Sequence, residues 1–129
     1  MMLIIGGAAS GKLNYVRSLG YCEEQLADAV LDSRPVIYNL QDLVAASVSS
    51  APALLKPLLE KEVVICDEVG SGVIPGVREE REAREATGRL CNQLAQQADS
   101  VIRLVAGIPL PLKGHAKIID VAARRGAGG

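Results

Sequence analysis

Residues 3 to 12 read Leu-Ile-Ile-Gly-Gly-Ala-Ala-Ser-Gly-Lys, an aliphatic run of buried-strand character leading straight into the spacing Gly-x-x-x-x-Gly-Lys. This order commits the chain to a strand, a tight loop and a helix in succession, the arrangement that cradles phosphate. Gly6 and Gly11 are expected to take backbone angles closed to side chains, so that the N–H groups from Gly7 to Gly11 converge on phosphate oxygens. Lys12 then reaches the terminal phosphates, and a helix starting near Gly11 turns its positive end to the same anion. Leu13 follows, where the motif carries a Ser or Thr that ligates magnesium, and leucine has no oxygen to offer. Gly6, Gly7, Ala8, Ala9, Ser10, Gly11, Lys12 and Leu13 are therefore the candidate contacts to ATP or GTP, with a weakened hold on Mg2+.

Val63-Val64-Ile65-Cys66 is the clearest second strand, and it ends in Asp67-Glu68. An acid at a strand tip can hold magnesium or its water, and a neighbouring one can polarise a nucleophile. Asp67 and Glu68 join Lys12 as candidate catalytic groups, with Asp67 the candidate metal ligand. The competing reading is that the two acids only cap the turn after the strand.

Hydrophobic residues make up 49% of the 129, yet Phe and Trp are absent and Tyr occurs three times. The core must therefore be aliphatic, which suits a parallel sheet covered on both faces. One domain spanning residues 1–129, with a flexible tail from about residue 114, fits this length. A net charge of −1 and the lack of aromatic stacking residues beyond three Tyr argue against a nucleic-acid partner. No run approaches the ~20 apolar residues of a membrane span. Cys22, Cys66 and Cys91 are odd in number and without Cys-x-x-Cys spacing, so reduced thiols in a cytoplasmic protein are the expectation.

Further along, residues 2–5 form the first strand and a helix runs from near Gly11 to about Leu19, where Gly20 ends it. Leu26, Ala29 and Val30 share a helical face, predicting a second helix over 22–32 or a continuation of the first. Val36-Ile37-Tyr38 is a short strand that tolerates Pro35 at its start. One or two short helices occupy 40–60, interrupted by Pro52 and Pro57. A loop spans Gly70 to Pro75, a long helix continues to about Gln97, and Val101 to Val105 form another strand. Arg78, Arg81 and Arg84 could form a basic ridge, but the intervening glutamates favour a solvated, salt-bridged face. The single histidine, His115, lies in the tail and reads as a surface residue. Strands alternating with helices predict an α/β fold of P-loop NTPase type, a mostly parallel sheet flanked by helices. Both Gly6 to Lys12 and Asp67-Glu68 then lie at the carboxyl ends of strands, where such sheets bind ligands.

From Asp67 the chain reads Asp-Glu-Val-Gly-Ser-Gly-Val-Ile-Pro, then Arg78, Arg81, Arg84, Glu85, Gly88, Leu94-Ala95 and Ala98-Asp99. This stretch resembles the adenosylcobinamide kinase/adenosylcobinamide-phosphate guanylyltransferase family of cobalamin biosynthesis, with its Asn-Glu-Val-Gly-x-Gly segment, Arg-rich helix, Gly and Ala-Asp in the same order. Gly6 to Lys12 is similar to that family's phosphate loop, and Val105-Ala-Gly-Ile108 to its final strand and turn. The resemblance implies a homo-oligomer, typically a trimer. It also implies phosphorylation of the aminopropanol hydroxyl of a corrinoid by a nucleoside triphosphate, then GMP transfer through a histidine-bound intermediate. Asp67 stands in place of the family's Asn, Leu13 of its Ser, and Cys91-Asn92 of Asn-Gln. Residues 20 to 60 are shorter than in the family and hold no histidine, so the guanylylated histidine has no counterpart. The family's Asp-Cys-Leu-Thr strand is echoed by Tyr38-Asn39-Leu40-Gln41 without the acid. Two functions stay open: a phosphotransferase without the guanylyl step, or a noncatalytic paralogue acting as a nucleotide-binding or regulatory subunit.

Overall fold

The computed structural model describes residues 1–68 and 77–114. Six strands form one sheet: β1 (Met2–Gly6), β2 (Leu26–Asp28), β3 (Val36–Tyr38), β4 (Val63–Asp67), β5 (Ser100–Val105) and β6 (Ile108–Lys113). Their order is β2-β3-β4-β1-β5-β6. All pairs are parallel except β5 with β6. Among the described residues four α-helices accompany the sheet: α1 (Lys12–Ser18), α2 (Leu40–Ala46), α3 (Leu55–Leu59) and α4 (Arg78–Gln97). The α/β architecture with a mostly parallel sheet and flanking helices is the one expected.

The sheet is apolar on both faces, which is why its central strands read as unbroken aliphatic runs. Leu3, Val64, Cys66 and Val101 point to one face and pack with Leu40, Val44, Leu58, Leu90 and Leu94 of the helices. Met2, Ile4, Ile65, Ile102 and Leu104 point to the other and pack with Tyr15 and Val16 of α1. Leu90 and Leu94 are fully buried, a contribution of roughly 1.5–3 kcal/mol each.

Two segments differ from the sequence expectation. No helix spans 22–32: a single 3-10 turn, Glu23–Gln25, leads into β2. Leu26 and Ala27 are buried beside Val36 and Ile37, while Val30, assigned to the same helical face, is 47% exposed. Ala29 turns the chain with φ 53, its N–H donating to Tyr38 O at 2.8 Å. Pairing to β3 thus buries Leu26 and Ala27 and leaves Asp28 exposed. The second difference is β6, in the stretch read only as two prolines after Gly107. Ala106 and Gly107, with φ 51 and 77, make a two-residue hairpin turn whose twist matches that of its strands. Pro109 and Pro111 alternate with Ile108, Leu110 and Leu112, so the ladder to β5 draws its donors from the non-proline positions.

The other elements follow the sequence closely. α1 ends at Ser18 with Leu19 as its cap, and Gly20 has φ 108. The carbonyl of Pro35 accepts from the N–H groups of Glu62 and Val63. The start of α4 is exposed, as a solvated face requires, with Arg78 paired to Glu82 at 2.8 Å. The loop expected from Gly70 to Pro75, the tail and His115 lie outside the described residues.

Candidate phosphate-binding site

The register of β1 against β4 sets Gly6 beside Asp67. The phosphate-loop sequence and the acidic strand tip, some sixty positions apart in the chain, therefore start from adjacent points on one edge of the sheet. The Glu68 N–H donates to Gly6 O at 2.8 Å and locks the two strand ends together.

The two outer glycines of the loop are needed for different reasons. Gly11 has φ 91, a left-handed angle that disfavours any side chain, as expected. Gly6 instead answers a close approach: a Cβ there would lie 2.5 Å from Ser10 Oγ and 2.8 Å from Leu104 O. A Cβ on Gly7 would meet nothing. Ala9 is held at φ 61, a strained angle for a residue with a side chain. The loop is braced by Ser10 N–H to Gly7 O at 3.2 Å and by Gly107 N–H to Ser10 O at 2.9 Å. The second bond ties it to the β5–β6 turn.

Lys12 folds back across this loop. Its Nζ donates to Gly7 O at 2.6 Å, Gly6 O at 3.2 Å and Ser10 Oγ at 3.4 Å, and it meets Asp67 Oδ1 at 2.7 Å. The lysine is 8% exposed and the aspartate 30%. The ammonium is thus held by carbonyls and one carboxylate in the concavity of its own loop, where an arriving anion would exchange for those partners. A cleft of about 310 Å³ opens beside it, lined by loop residues 8 to 13 together with Asn14, Tyr38, Asn39, Ile65 and Asp67.

Asp67 therefore sits with Lys12, whereas Glu68 turns away. Its carboxylate takes two bonds from Arg103, at 2.6 and 3.2 Å, which hold the guanidinium pKa above its ordinary value, and it does not line the cleft. Leu13 packs against the core cluster of α1, so its aliphatic character serves the interior. Among the described residues no group of three or more His, Cys, Asp or Glu side chains could hold a metal ion. Asp67 is the carboxylate of the cleft, and Asn39 brings a neutral carbonyl oxygen.

Sequence reasoning did not assign Tyr38, Asn39 and Gln41 to the site. Tyr38 ends β3 and Asn39 and Gln41 follow it; the carboxyl end of β3 lies at the same sheet edge, so the parallel-sheet expectation and the family strand echoed at residues 38–41 were the signals that could have found them. Gln41 Nε2 donates to Asp67 Oδ2 at 3.3 Å, and Gln41 Oε1 accepts from the Asp67 N–H at 3.1 Å.

Comparison with known proteins adds the family. The family model described as cobinamide kinase / cobinamide phosphate guanyltransferase matches residues 22–112, beginning just after α1. The bifunctional adenosylcobalamin biosynthesis protein CobU of Escherichia coli (strain K12) is 32% identical over 74 residues, 57% of this chain and 41% of that protein. Its namesake from Salmonella typhimurium (strain LT2) is 40% identical over 53 residues, 41% of this chain and 29% of that protein. The chain thus matches less than half the length of either relative. Since the family model covers most of the sequence, the chain belongs to the cobinamide kinase / cobinamide phosphate guanyltransferase family.

Proposed function

We propose that residues Gly6 to Leu13 bind the phosphates of ATP or GTP, and that the chain is a nucleotide-binding member of its family with an adenosylcobinamide-kinase-like phosphotransferase site. The observation that carries this reading is Lys12 Nζ, gathered into the phosphate loop and paired with Asp67 at 2.7 Å. On binding, the lysine exchanges Asp67 for terminal phosphate oxygens, and the loop N–H groups take the rest of the charge. Asp67 is then released beside the cleft, placed to accept the proton of an attacking hydroxyl or to hold Mg2+. Transfer forms a bond from that hydroxyl oxygen to the γ-phosphorus and breaks the bridge to the β-phosphate. A corrinoid alcohol is the acceptor class that the family suggests. Glu68 would need to leave Arg103 before acting.

The second reading is a noncatalytic nucleotide-binding or regulatory subunit. Leu13 favours it, because this half-buried side chain at the cleft carries no oxygen and leaves a bound magnesium without its usual hydroxyl ligand. Calorimetric titration with ATP, GTP and adenosylcobinamide, with and without magnesium, separates the two. Triphosphate binding that weakens by about 1–3 kcal/mol in Lys12→Ala supports the site, the range for losing a charge-assisted bond. Equal affinities of the two proteins refute it. Binding of ATP without transfer to the corrinoid selects the second reading.

Homo-oligomerisation, trimeric on the family pattern, belongs to the same proposal. Ile108, Leu110 and Leu112 are 60, 42 and 59% exposed on β6 and could be covered by another subunit. A cytoplasmic location is proposed with it. No helix among the described residues is long and apolar enough to cross a membrane.

A further inference from the structure

Asp67 can hold Lys12 only if the plane of its carboxylate is fixed, and the outer torsion of an aspartate is a soft one. Asp67 Oδ1 meets the lysine, but Oδ2 and the backbone N–H of the same residue are both held from α2. The orientation of that grip is unambiguous. A carboxylate only accepts and a backbone N–H only donates, so the Gln41 carboxamide must turn Nε2 to Oδ2 and Oε1 to the N–H. Nε2 also donates to Asn39 Oδ1 at 3.3 Å, and Asn39 Nδ2 donates in turn to Asp28 Oδ1 at 2.8 Å. A chain of polar side chains thus runs from β2 at the sheet edge to the lysine of the phosphate loop. Its geometry depends on Asn39, held left-handed at φ 56 and ψ 44 as the residue before α2, and on Leu40, fully buried as the anchor of that helix.

We propose that Gln41 is a positioning residue of this site: by gripping the tip of β4 at two points it keeps one Asp67 oxygen on Lys12 and the other turned to α2, and so governs how readily the loop takes up phosphate. The inference rests on the phosphate reading of the cleft. Gln41 need not touch the ligand. With its amide donor in place, part of the Asp67 charge is satisfied from α2. Without the donor, both carboxylate oxygens are free to face the cleft and repel an incoming triphosphate. A divalent cation, bound by those freed oxygens, would offset that repulsion.

Two variants test the grip. Gln41→Ala removes it, and Gln41→Glu keeps the acceptor for the Asp67 N–H but sets a second carboxylate against Oδ2, preserving size if the alanine variant fails to fold. In ligand-free protein, a double-mutant cycle between Lys12→Met and Asp67→Asn, read from urea unfolding, measures their coupling. That coupling should fall to about half or less in either Gln41 background, whereas a merely structural Gln41 would lower stability and leave the coupling intact. An unchanged coupling overturns the proposal. ATP binding in the presence of EDTA should weaken about tenfold in both variants, the scale of one hydrogen bond to a charged group, and magnesium should restore much of it in Gln41→Ala. If the unmodified protein binds ATP and the variants bind it equally well, the proposal is also overturned. If coupling falls but the unmodified protein binds no ATP, the phosphate reading fails while Gln41 still positions the pair.

Discussion

Gly6 and Leu104 face each other across the β1–β5 pair so closely that a methyl group on Gly6 would stand 2.8 Å from the Leu104 carbonyl oxygen and 2.5 Å from Ser10 Oγ. The serine hydroxyl can rotate away, but the carbonyl belongs to a paired strand and cannot. Gly6→Ala should therefore displace the loop from the sheet, lowering stability by about 1–3 kcal/mol, the usual cost of overpacking. The ATP affinity should fall with it, and Gly7→Ala, with open space around its Cβ, should cost far less stability. Urea denaturation of the two variants checks the contrast, and equal losses would contradict it.

Magnesium should contribute little to triphosphate binding. Leu13 supplies no oxygen, and Mg2+ demands near-ideal octahedral oxygen geometry. Leu13→Ser should increase the ratio of affinities measured with magnesium and with EDTA. It should also lower stability, because the leucine packs against the α1 core cluster. Titrations in which the unmodified protein already needs magnesium as strongly as the serine variant would reject this account and favour a working kinase.

Incubation with GTP should leave no covalent GMP on the chain. The described residues contain no histidine, and His115 lies beyond β6 rather than in the segment where the family carries its nucleophile. Intact-protein mass spectrometry reads the outcome directly. An acid-labile adduct of GMP mass would show that the guanylyl step survives.

At alkaline pH Tyr21 should titrate late. Burial, and then the hydrogen bond its hydroxyl donates to Glu62 Oε1 at 2.7 Å, pushes the Tyr21 pKa up to about 12. The neutral form is favoured in the folded state, so its contribution to stability is complete below the unfolded value near 10 and is lost as pH rises from there to about 12. The stability difference between the unmodified protein and Tyr21→Phe should be flat below that window and fall within it. In the tyrosine absorbance of the folded protein, the late ionisation of Tyr21 should be missing from the variant.

Local chemistry was enough to read much of this molecule. Leu-Ile-Ile before Gly-x-x-x-x-Gly-Lys, and Val-Val-Ile-Cys before Asp-Glu, each carry their own signal: buried strands are continuously aliphatic, and a loop that cradles phosphate needs glycine and lysine at fixed spacing. Gly11 was legible for the same reason, since a left-handed angle is a property of one residue. What the chain alone left open depends on which atoms meet across the sheet. The requirement at Gly6 comes from a carbonyl on β5, not from its own backbone angles. Leu26 and Ala27 became a strand because β3 offered a ladder and a buried place beside Val36 and Ile37, and pairing of that kind outweighs a helical period in a short segment. Glu68 looked equivalent to Asp67 until alternation along the strand sent it to Arg103 and Asp67 to Lys12. Gln41 stands in the segment that echoes the family's Asp-Cys-Leu-Thr strand, but its hydrogen bond to Asp67, 26 positions on, joins α2 to the tip of β4, and only the folded sheet brings those two together.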